Sequence, residues 1–427
     1  EHVKAGRFGK WLEGARDWSI SRQRFWASCI PIWQCACGAK KVMGSLEEFY
    51  QHANGKITKL ILVRHGEAES NAADIICCQT NKYHLTEKGK GQIIVAARKL
   101  KGEISGRENE VVFYSSPVLR ARESAEIIGG ELGLSFSIAE ELREIGLGNW
   151  DDHNRAELAA NDVLRQKYLS AAPEDKYDLK LGGTGESQAE VAERMNKWLA
   201  GVLEKNPGKI ILVVSHSDPI DDLISVLRGR SKREAGYSLY GPNHTRKGEY
   251  KIVYLNNETK KEIDLHKDSV DKISLQCDVC PGEMKRVPDV LDCWFESGSM
   301  PYAQMHYPFE NKERFENNFP AEFIAEGIDQ TRAWFYYTHA LATGIRNNFA
   351  YKNVIVNGIV LAEDGKKMSK RLKNYPDPDL LLEKYGADAM RYYLLTSPVM
   401  LAENLNFSEK GVADCLRKVN MILWNVY

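Results

Sequence analysis

The sequence predicts an α/β fold, and three short apolar runs are the first observation behind that prediction. Each run ends in polar residues, as a buried strand does at the edge of a sheet; the runs lie at 59–63, 111–114 and 210–214. A helical pattern follows each run, at roughly 85–101, 117–132 and 218–228. Strands and helices that alternate in this way favour a mainly parallel sheet.

The second observation is that this alternating segment interrupts a sequence with a different residue pattern. Residues 1–56 are rich in Trp and Arg, and a similar residue pattern returns after a last predicted strand at 250–256. Further on, helices are expected at 331–346, 378–396 and 408–427, and strands near 319–330 and 352–362. We therefore predict four parts: 1–56, an inserted domain at 57–256, 257–398, and 399–427.

The composition narrows the class of protein. Hydrophobic residues make up 43% of the chain and charged residues 27%, as in a folded globular protein. The net charge of -1 excludes a polycation, so any contact with nucleic acid must come from local patches. We find no apolar stretch of about 18 residues and no signal peptide, and we expect a cytoplasmic protein without a membrane span. Because the chain opens at Glu1, we expect a fragment.

Four cationic or imidazole side chains stand at the ends of the three predicted strands. Arg64 and His65 end the first strand, Arg120 opens the helix after the second, and His216 ends the third. Ligands of α/β sheets bind at the carboxyl ends of strands, so these residues predict a pocket for a phosphoryl group. A neutral imidazole can attack phosphorus, and Glu144 is our candidate for the acid that protonates the leaving oxygen.

The same segment resembles the histidine phosphatase superfamily, also called phosphoglycerate-mutase-like. The resemblance is carried, in family order, by RHGEAESN at 64–71, HLTEKGKGQ at 84–92, SSPVLRARESA at 115–125, GES at 185–187 and VVSH at 213–216. It implies that His65 is the phosphorylated nucleophile. It also implies that Arg64, Arg120 and His216 bind the phosphate and that Asn71 makes a secondary contact.

Two departures from the family pattern keep a second hypothesis open. Ser217 stands where relatives often have Gly, and Asp221 where they often have Arg. The insert is therefore either an active enzyme acting on an unknown phosphoester, as phosphatase or mutase, or a weak or inactive module that binds phosphate-bearing RNA or a partner. An artificial joining of two genes is a third possibility, and the clean return of the surrounding sequence argues against it.

The segment AEDGKKMSKRLKN at 362–374 is too polar and rich in Lys to belong to a core. A loop of this kind can place Lys367 and Lys370 against the phosphates of a nucleotide. KMSKR resembles the KMSKS signature of class I aminoacyl-tRNA synthetases. The resemblance implies that Lys367, Met368, Ser369 and Lys370 bind ATP with Mg²⁺ and that Lys370 stabilises the transition state.

Four further segments resemble isoleucyl-tRNA synthetases. They are ARDWSISRQRFW at 15–26, DVLDCWFESGSMPYAQ at 289–304, AEFIAEGIDQTRAWFYYTHAL at 321–341 and NYPDPDLLLEKYGADAMRYYLLTSP at 374–398. The resemblance implies that Glu326 holds the amino group of isoleucine, that Gly327, Asp329 and Gln330 contact the adenylate, and that Trp334 lies beside the amino-acid side chain. It implies a Rossmann-type catalytic domain with a zinc knuckle, followed by the start of a helical anticodon-binding region.

The synthetase resemblance also implies partners and missing parts. The partners would be tRNA(Ile), isoleucine and ATP, and the protein would be a monomer. The HIGH signature and the editing domain would lie upstream of Glu1, so we expect this chain alone to charge no tRNA. Ala333 stands where relatives usually have Gly, and residues 27–29 replace a common Gly-Thr-Pro, which leaves tuned or impaired activity open.

Two pairs of cysteines flank the insert. Cys35 and Cys37 precede it, and Cys277 and Cys280 follow it, each pair close to Gly or Pro. Four thiolates delivered from two such turns suit tetrahedral zinc. Removal of 57–256 leaves about 40 residues between the pairs, an ordinary spacing for such a site, and predicts an insertion whose two ends lie close together. A pair without metal and a disulfide remain the alternatives.

Overall fold

The structure is a computed structural model that describes residues 2–23, 27–240, 244–369, 371 and 374–427. Contacts divide the chain into two compact units. One unit contains residues 1–30 and 288–427, and the other contains residues 31–287. Among the described residues, no helix is both long enough and apolar enough to cross a bilayer.

The first segment of the chain is short and mostly irregular. It contains a π-helical stretch at His2–Phe8, then helix α1 (Gly9–Glu13) and strand β1 (Ser21–Arg22).

The unit at 31–287 contains most of the regular structure. Its strands are β2 (Ile32–Cys35), β3 (Lys40–Val42), β4 (Ile57–Arg64), β5 (Ile75–Ile76), β6 (Val111–Ser115), β7 (Ser137–Ile138), β8 (His153–Asn154), β9 (Ile210–Ser215), β10 (Tyr250–Asn256), β11 (Lys261–Glu262), β12 (Leu275–Gln276) and β13 (Glu283–Arg286). Its helices are α2 (Leu46–His52), α3 (Glu69–Ala72), α4 (Glu87–Ile104), α5 (Leu119–Leu132), α6 (Arg155–Asn161), α7 (Val163–Ser170), α8 (Pro173–Asp178), α9 (Gln188–Lys205), α10 (Ser217–Leu227), α11 (Lys232–Tyr240) and α12 (Lys267–Val270).

A six-stranded sheet organises this unit, in the order β11-β10-β4-β9-β6-β7. Strands β4, β9, β6 and β7 are parallel, whereas β10 pairs antiparallel with β4 and with β11. β4 and β9 lie in the middle and are buried almost throughout, which explains their nearly continuous apolar sequence. The prediction of an α/β fold with a mainly parallel sheet is confirmed.

Local sequence signals fix where the long helices begin and end. The Thr86 side chain accepts a hydrogen bond from the backbone of Gly89 and caps α4, and Ser187 and Glu190 form a capping box at the start of α9. Helix α5 ends at Gly133, whose φ of 69° suits a residue without a Cβ. These signals set the helices that pack on the sheet.

A small antiparallel sheet in the same unit joins the two sides of the predicted insert. Its order is β12-β13-β2-β3. Helix α2 follows it and lies against the large sheet: Lys59 of β4 is fully buried and donates to Glu47 of α2 at 2.7 Å and to Glu103 at 3.1 Å. The Tyr254 hydroxyl of β10 also donates to Glu47, at 2.7 Å. Helix α2, which follows β3 of the small sheet, is therefore held to the large sheet by a charged contact in which Lys59 is buried and Glu47 is half-buried.

The chain enters and leaves the segment 57–256 at one place. The backbone N–H of Asn257 donates to the carbonyl of Lys56 at 2.9 Å, and its side chain donates to the carbonyl of Gly55 at 2.6 Å. The closeness of these two ends agrees with the spacing argument from the cysteine pairs.

The second part of the other unit follows at 288–427. Its strands are β14 (Val290–Leu291), β15 (Ala321–Gly327), β16 (Tyr351–Asn357), β17 (Val360–Leu361) and β18 (Leu405–Asn406). Its helices are α13 (Cys293–Ala303), α14 (Lys312–Asn318), α15 (Trp334–Arg346), α16 (Pro378–Tyr385), α17 (Ala387–Leu395), α18 (Glu409–Cys415) and α19 (Met421–Val426), with a π-helical stretch at Leu416–Asn420 between the last two.

Strands β15 and β16 are parallel, and α15 connects them in a βαβ unit. The helix predicted at 378–396 is two helices, because Gly386 between them has a φ of 82°, which a continuous helix does not allow. The helix predicted at 408–427 has a π-helical stretch in its middle.

Candidate active sites

The nucleophile predicted in the insert lies directly after the central strand β4. His65 is 2% exposed, and its Nδ1 donates to the carbonyl of Gly66 at 2.7 Å. This bond holds the proton on Nδ1 and leaves the lone pair on Nε2 for attack. Burial and the positive charges of Arg120 and Arg64 hold the pKa of His65 well below its usual value, so the imidazole is neutral near pH 7.

Two glycines of the motifs are required by the packing behind His65. A Cβ on Gly66 would lie 2.4 Å from the carbonyl oxygen of Gly89, and a Cβ on Gly89 would lie 2.0 Å from that of Glu67. Both distances are too short for any side chain. The segments 64–71 and 84–92 therefore pack backbone against backbone.

Two arginines border the nucleophile. Arg120 Nε donates to His65 Nε2 at 3.0 Å, and the carbonyls of Cys77 and Cys78 each accept from Arg120 Nη2 at 3.1 Å. Arg64 Nη1 donates to the carbonyl of Thr245 at 2.7 Å. Arg120 is 2% exposed, so both cations are placed where an anion would be strongly attracted.

His216 and Glu144 complete the group. The rings of His65 and His216 have centroids 5.0 Å apart, and His216 Nε2 is hydrogen-bonded to Ser116 Oγ at 2.8 Å. Glu144 Oε2 lies 3.8 Å from His216 Nδ1 and 4.0 Å from Arg120 Nη2. Burial raises the pKa of Glu144 to about 7, and the charge of Asp218 adds to the rise. A carboxyl group with this pKa can donate a proton near neutral pH.

A cavity of about 400 Å³ opens beside this group, and His216 is not among the residues that line it. Five predicted residues line it: Arg64, His65, Asn71, Arg120 and Glu144. The side chain of Asn71 also accepts a hydrogen bond from the backbone N–H of Ala68 at 3.1 Å.

Other residues in the cavity wall were not predicted from the sequence. They are Ser217, Asp218, His244, Arg155, Arg165 and Tyr168, among others. No local motif surrounds His244, and its position is decided by contacts with residues far away in the sequence, such as Arg64 and Ser217.

The residues predicted to bind isoleucine and the adenylate lie together after β15. Glu326 is exposed near the end of that strand, Gly327 ends it, and Asp329 and Gln330 lie in the 3-10 turn that follows. Gln330 Nε2 donates to Asp329 at 2.9 Å, and Gln330 Oε1 accepts from the backbone of Trp334 at 3.1 Å. The turn thus places its polar side chains at the carboxyl end of a parallel strand, where α/β sheets bind ligands.

The described part of the KMSKR segment is bound by the side-chain amide of Asn374. Asn374 Oδ1 accepts from the backbone of Ser369 at 2.9 Å, and Asn374 Nδ2 donates to the carbonyl of Lys367 at 3.2 Å. Met368 packs against the small apolar cluster around Leu381. Lys370, predicted to stabilise the transition state, lies outside the described residues.

The four cysteines predicted to bind metal lie together. The sulfurs of Cys35 and Cys280 are 3.5 Å apart, those of Cys37 and Cys277 are 3.8 Å apart, and all four lie within 4.8 Å of one another. Tetrahedral zinc with Zn–S bonds of about 2.3 Å separates its sulfurs by about 3.8 Å, so the group fits zinc.

Backbone N–H groups donate to two of these sulfurs. The N–H of Val279 donates to Cys277 Sγ and the N–H of Gly282 to Cys280 Sγ, both at 3.4 Å. The bond from Val279 is the main cause that lowers the pKa of Cys277 to about 7. All nine cysteines of the chain are described, and none forms a disulfide.

Two models of known protein families match this chain. A model described as tRNA synthetases class I (I, L, M and V) matches residues 1–86 and 242–406. A model described as histidine phosphatase superfamily (branch 1) matches residues 60–245.

Similar proteins include several isoleucine–tRNA ligases. The chain is 60% identical over 164 residues to that of Treponema denticola, 57% identical over 164 residues to the cytoplasmic one of Saccharomyces cerevisiae, and 58% identical over 167 residues to the cytoplasmic one of Mus musculus. These matches cover 38–39% of this chain. The chain spans only 13–15% of the length of these relatives.

Similar solved structures include a mycobacterial glucosyl-3-phosphoglycerate phosphatase, which is 21% identical, with a TM-score of 0.41 over 48% of this chain and 95% of that one. They also include a phosphoserine phosphatase from Entamoeba histolytica in complex with 3-phosphoglyceric acid. It is 28% identical, with a TM-score of 0.39 over 48% of this chain and 94% of that one.

Proposed function

Because the chain belongs to the class I tRNA synthetase family and contains a segment of the histidine phosphatase superfamily, we propose that it joins an isoleucine–tRNA ligase to a phosphomonoesterase. The inserted segment, at 57–256, would hydrolyse a phosphomonoester through a phosphohistidine. The hydrogen bond from His65 Nδ1 to Gly66, with Nε2 beside Arg120, is the observation that supports this proposal best.

The proposed reaction has two steps. His65 Nε2 attacks phosphorus, the bond to the leaving oxygen breaks, and Glu144 gives that oxygen its proton. Arg64, Arg120 and His216 would stabilise the charge on the other phosphate oxygens. Water then attacks the phosphohistidine, Glu144 takes a proton from it, and inorganic phosphate leaves with His65 restored.

Hydrolysis of a generic aryl phosphate by this chain tests the proposal. We expect His65→Ala to lose at least about 10³-fold in kcat, because the nucleophile is removed. Enzyme quenched in alkaline detergent should carry label from ³²P-substrate on His65, and the label should be stable in base and lost in acid. His84→Ala, at an exposed histidine paired with Glu123, is the matched control.

If neither protein hydrolyses the aryl phosphate while both bind inorganic phosphate, the insert is the binding module of the alternative hypothesis. The Ser217 and Asp221 departures are the observations that favour that alternative.

The proposal for the flanking segments concerns the whole protein. There, ATP with Mg²⁺ would activate isoleucine, and the aminoacyl group would pass to tRNA(Ile). Glu326 would bind the substrate amino group, Trp334 would border its side chain, and Gly327, Asp329 and Gln330 would contact the adenylate. Lys367, Met368, Ser369 and Lys370 would bind ATP. The names of the yeast and mouse relatives support a cytoplasmic location, and we propose a monomer.

We also propose zinc at Cys35, Cys37, Cys277 and Cys280, supported by the spacing of their sulfurs. Zinc would fix the two turns together, which stabilises the small sheet. Purified protein should contain one zinc per chain by elemental analysis, and a chelator should lower its unfolding midpoint. The variant Cys277→Ser should lose the metal, whereas Cys293→Ser, at an exposed cysteine outside the group, should keep it.

A further inference from the structure

Ser217 and Asp221, the two positions of the insert that depart from the family pattern, meet at one imidazole. His244, in the loop before β10, has Nε2 at 2.8 Å from Ser217 Oγ and Nδ1 at 3.1 Å from Asp221 Oδ2. Ser217 and His244 both line the cavity over His65. The imidazole therefore connects a buried carboxylate to the wall of the proposed phosphate pocket.

The state of Asp221 decides where the proton of His244 lies. Asp221 is 2% exposed and accepts hydrogen bonds from Thr245 Oγ1 at 2.6 Å and from Lys251 Nζ at 2.9 Å. Burial alone would raise the pKa of Asp221, but the bonds from His244 and Thr245 outweigh it and lower the pKa. An ionised carboxylate only accepts, so His244 Nδ1 donates to Asp221, and a guanidinium only donates, so His244 Nε2 is the acceptor where it meets Arg64.

That acceptor lies beside the first arginine of the pocket. His244 Nε2 is 3.1 Å from Arg64 Nη1, and the carbonyl of Thr245 accepts from the same Nη1 at 2.7 Å. Two neighbouring residues of one loop therefore hold one nitrogen of the guanidinium. Arg64 Nε is buried and has no hydrogen-bond partner among the described residues. A phosphate oxygen would supply the partner that this buried donor lacks.

We propose that His244, oriented by Asp221, is a positioning residue that fixes the Arg64 guanidinium for binding a phosphate dianion. This proposal rests on the proposed function. Because the loop carries both acceptors, Arg64 is held before the substrate arrives, and less side-chain freedom is lost when phosphate binds. His244 itself does not touch the reacting atoms, so its effect should fall on phosphate affinity more than on the chemical step.

The test compares two substitutions of His244. His244→Phe keeps a ring of similar size but removes the acceptor, and His244→Gln keeps an amide that can donate to Asp221 and accept from Arg64. We expect His244→Phe to weaken the Kd of inorganic phosphate, measured by titration calorimetry, by about 10-fold or more, because a hydrogen bond to a charged group is lost. KM for aryl phosphate should rise similarly with kcat changed less than about threefold, and His244→Gln should recover most of the affinity.

Outcomes of this test separate the two proposals. Wild-type protein that neither binds inorganic phosphate nor hydrolyses aryl phosphate overturns the proposed function, and the role of His244 falls with it. Wild-type protein that does both, with an unchanged Kd in His244→Phe, overturns only the role of His244. Should His244→Phe unfold, Asp221→Asn repeats the test with an isosteric side chain: at least fivefold weaker phosphate binding supports the proposal, and an unchanged Kd overturns it.

Discussion

The two candidate sites of this chain differ in how far the chain encloses them. In the insert, His65, Arg120 and His216 are at most 2% exposed, at the strand ends of one six-stranded sheet. In the synthetase segment, Glu326 and Asp329 are exposed; Glu326 lies near the end of a strand with one parallel partner, and Asp329 follows that strand. This difference shows that the pocket of the insert is built from residues of one continuous segment of the chain. Its chemistry can be measured on this chain, whereas the synthetase site is to be measured in the whole protein.

Among the substitutions that test the comparison of the two candidate sites, we expect the largest effect from Glu144→Gln. This substitution keeps the shape of the side chain and removes its acidic proton. We expect the rate of phosphoryl transfer from an alkyl phosphate to His65 to fall by roughly 10²–10⁴-fold, because the leaving alkoxide needs a proton. The same step with p-nitrophenyl phosphate should slow far less, since its leaving group is a stable anion. Pre-steady-state rates of this first step with both substrates make the test, because Glu144 also acts in the dephosphorylation step that both substrates share, and Glu140→Gln, on the exposed turn before it, is the control. Equal losses with both substrates would contradict the acid role.

The next prediction tests whether the two candidate sites act independently of each other. In the whole protein, Glu326→Gln should raise KM for isoleucine in ATP–pyrophosphate exchange by about 10–100-fold, because a charged hydrogen bond to the substrate ammonium is lost. Aryl phosphate hydrolysis should not change. Glu322→Gln, on the same strand and paired at the surface with Lys352, is the matched control. A loss of phosphatase activity in Glu326→Gln would show that the two sites depend on each other.

A pH profile gives the third effect. The raised pKa of Glu144, about 7, means that its proton is present below that pH and is lost above it. His65 stays neutral across the same interval because its pKa is depressed. The single-turnover rate with an alkyl phosphate should therefore be level near pH 6 and fall about tenfold per unit well above pH 7. The same fall seen in Glu144→Gln would assign it to another group.

The smallest effect tests how independent the insert is of the chain before it. Glu47→Gln weakens the contact of α2 with Lys59, whose side chain is fully buried, while Glu47 itself is 33% exposed. We expect the free energy of unfolding, from urea titration followed by phosphatase activity, to fall by about 1–2 kcal/mol. Glu131→Gln, exposed on α5, is the control for a loss of surface charge. No difference between the two would mean that α2 does not stabilise the insert.

Much of the fold was predictable because its signals are local. The apolar runs at 59–63, 111–114 and 210–214 became β4, β6 and β9 with shifts of one or two residues at their ends. The convergence of Arg64, His65, Arg120 and His216 followed from one rule about strand ends. Both depend on short stretches of sequence and on the geometry that parallel sheets share.

The features that were missed depend on distant partners. Lys59 opens the run at 59–63 that was predicted as a buried strand, but the run does not reveal that Glu47 and Glu103 supply the counter-charges for its fully buried ammonium. The place of His244 beside Arg64 is set by Asp221, 23 positions earlier in the chain. No pattern within a single element encodes such pairs.

The closeness of Lys56 and Asn257 has a consequence for how this chain can change over generations. One peptide link between them could close the gap, so a segment of 200 residues can be added here without changing the path of the chain around it. Their loss is a different matter. Tyr50 of α2 is 3% exposed, stacks under Arg107 and donates to Gly208, and Glu47 faces Lys59. Deletion of the segment would expose these side chains to water together. Its loss would therefore destabilise the chain that remains, whereas its gain requires no change in the path of that chain.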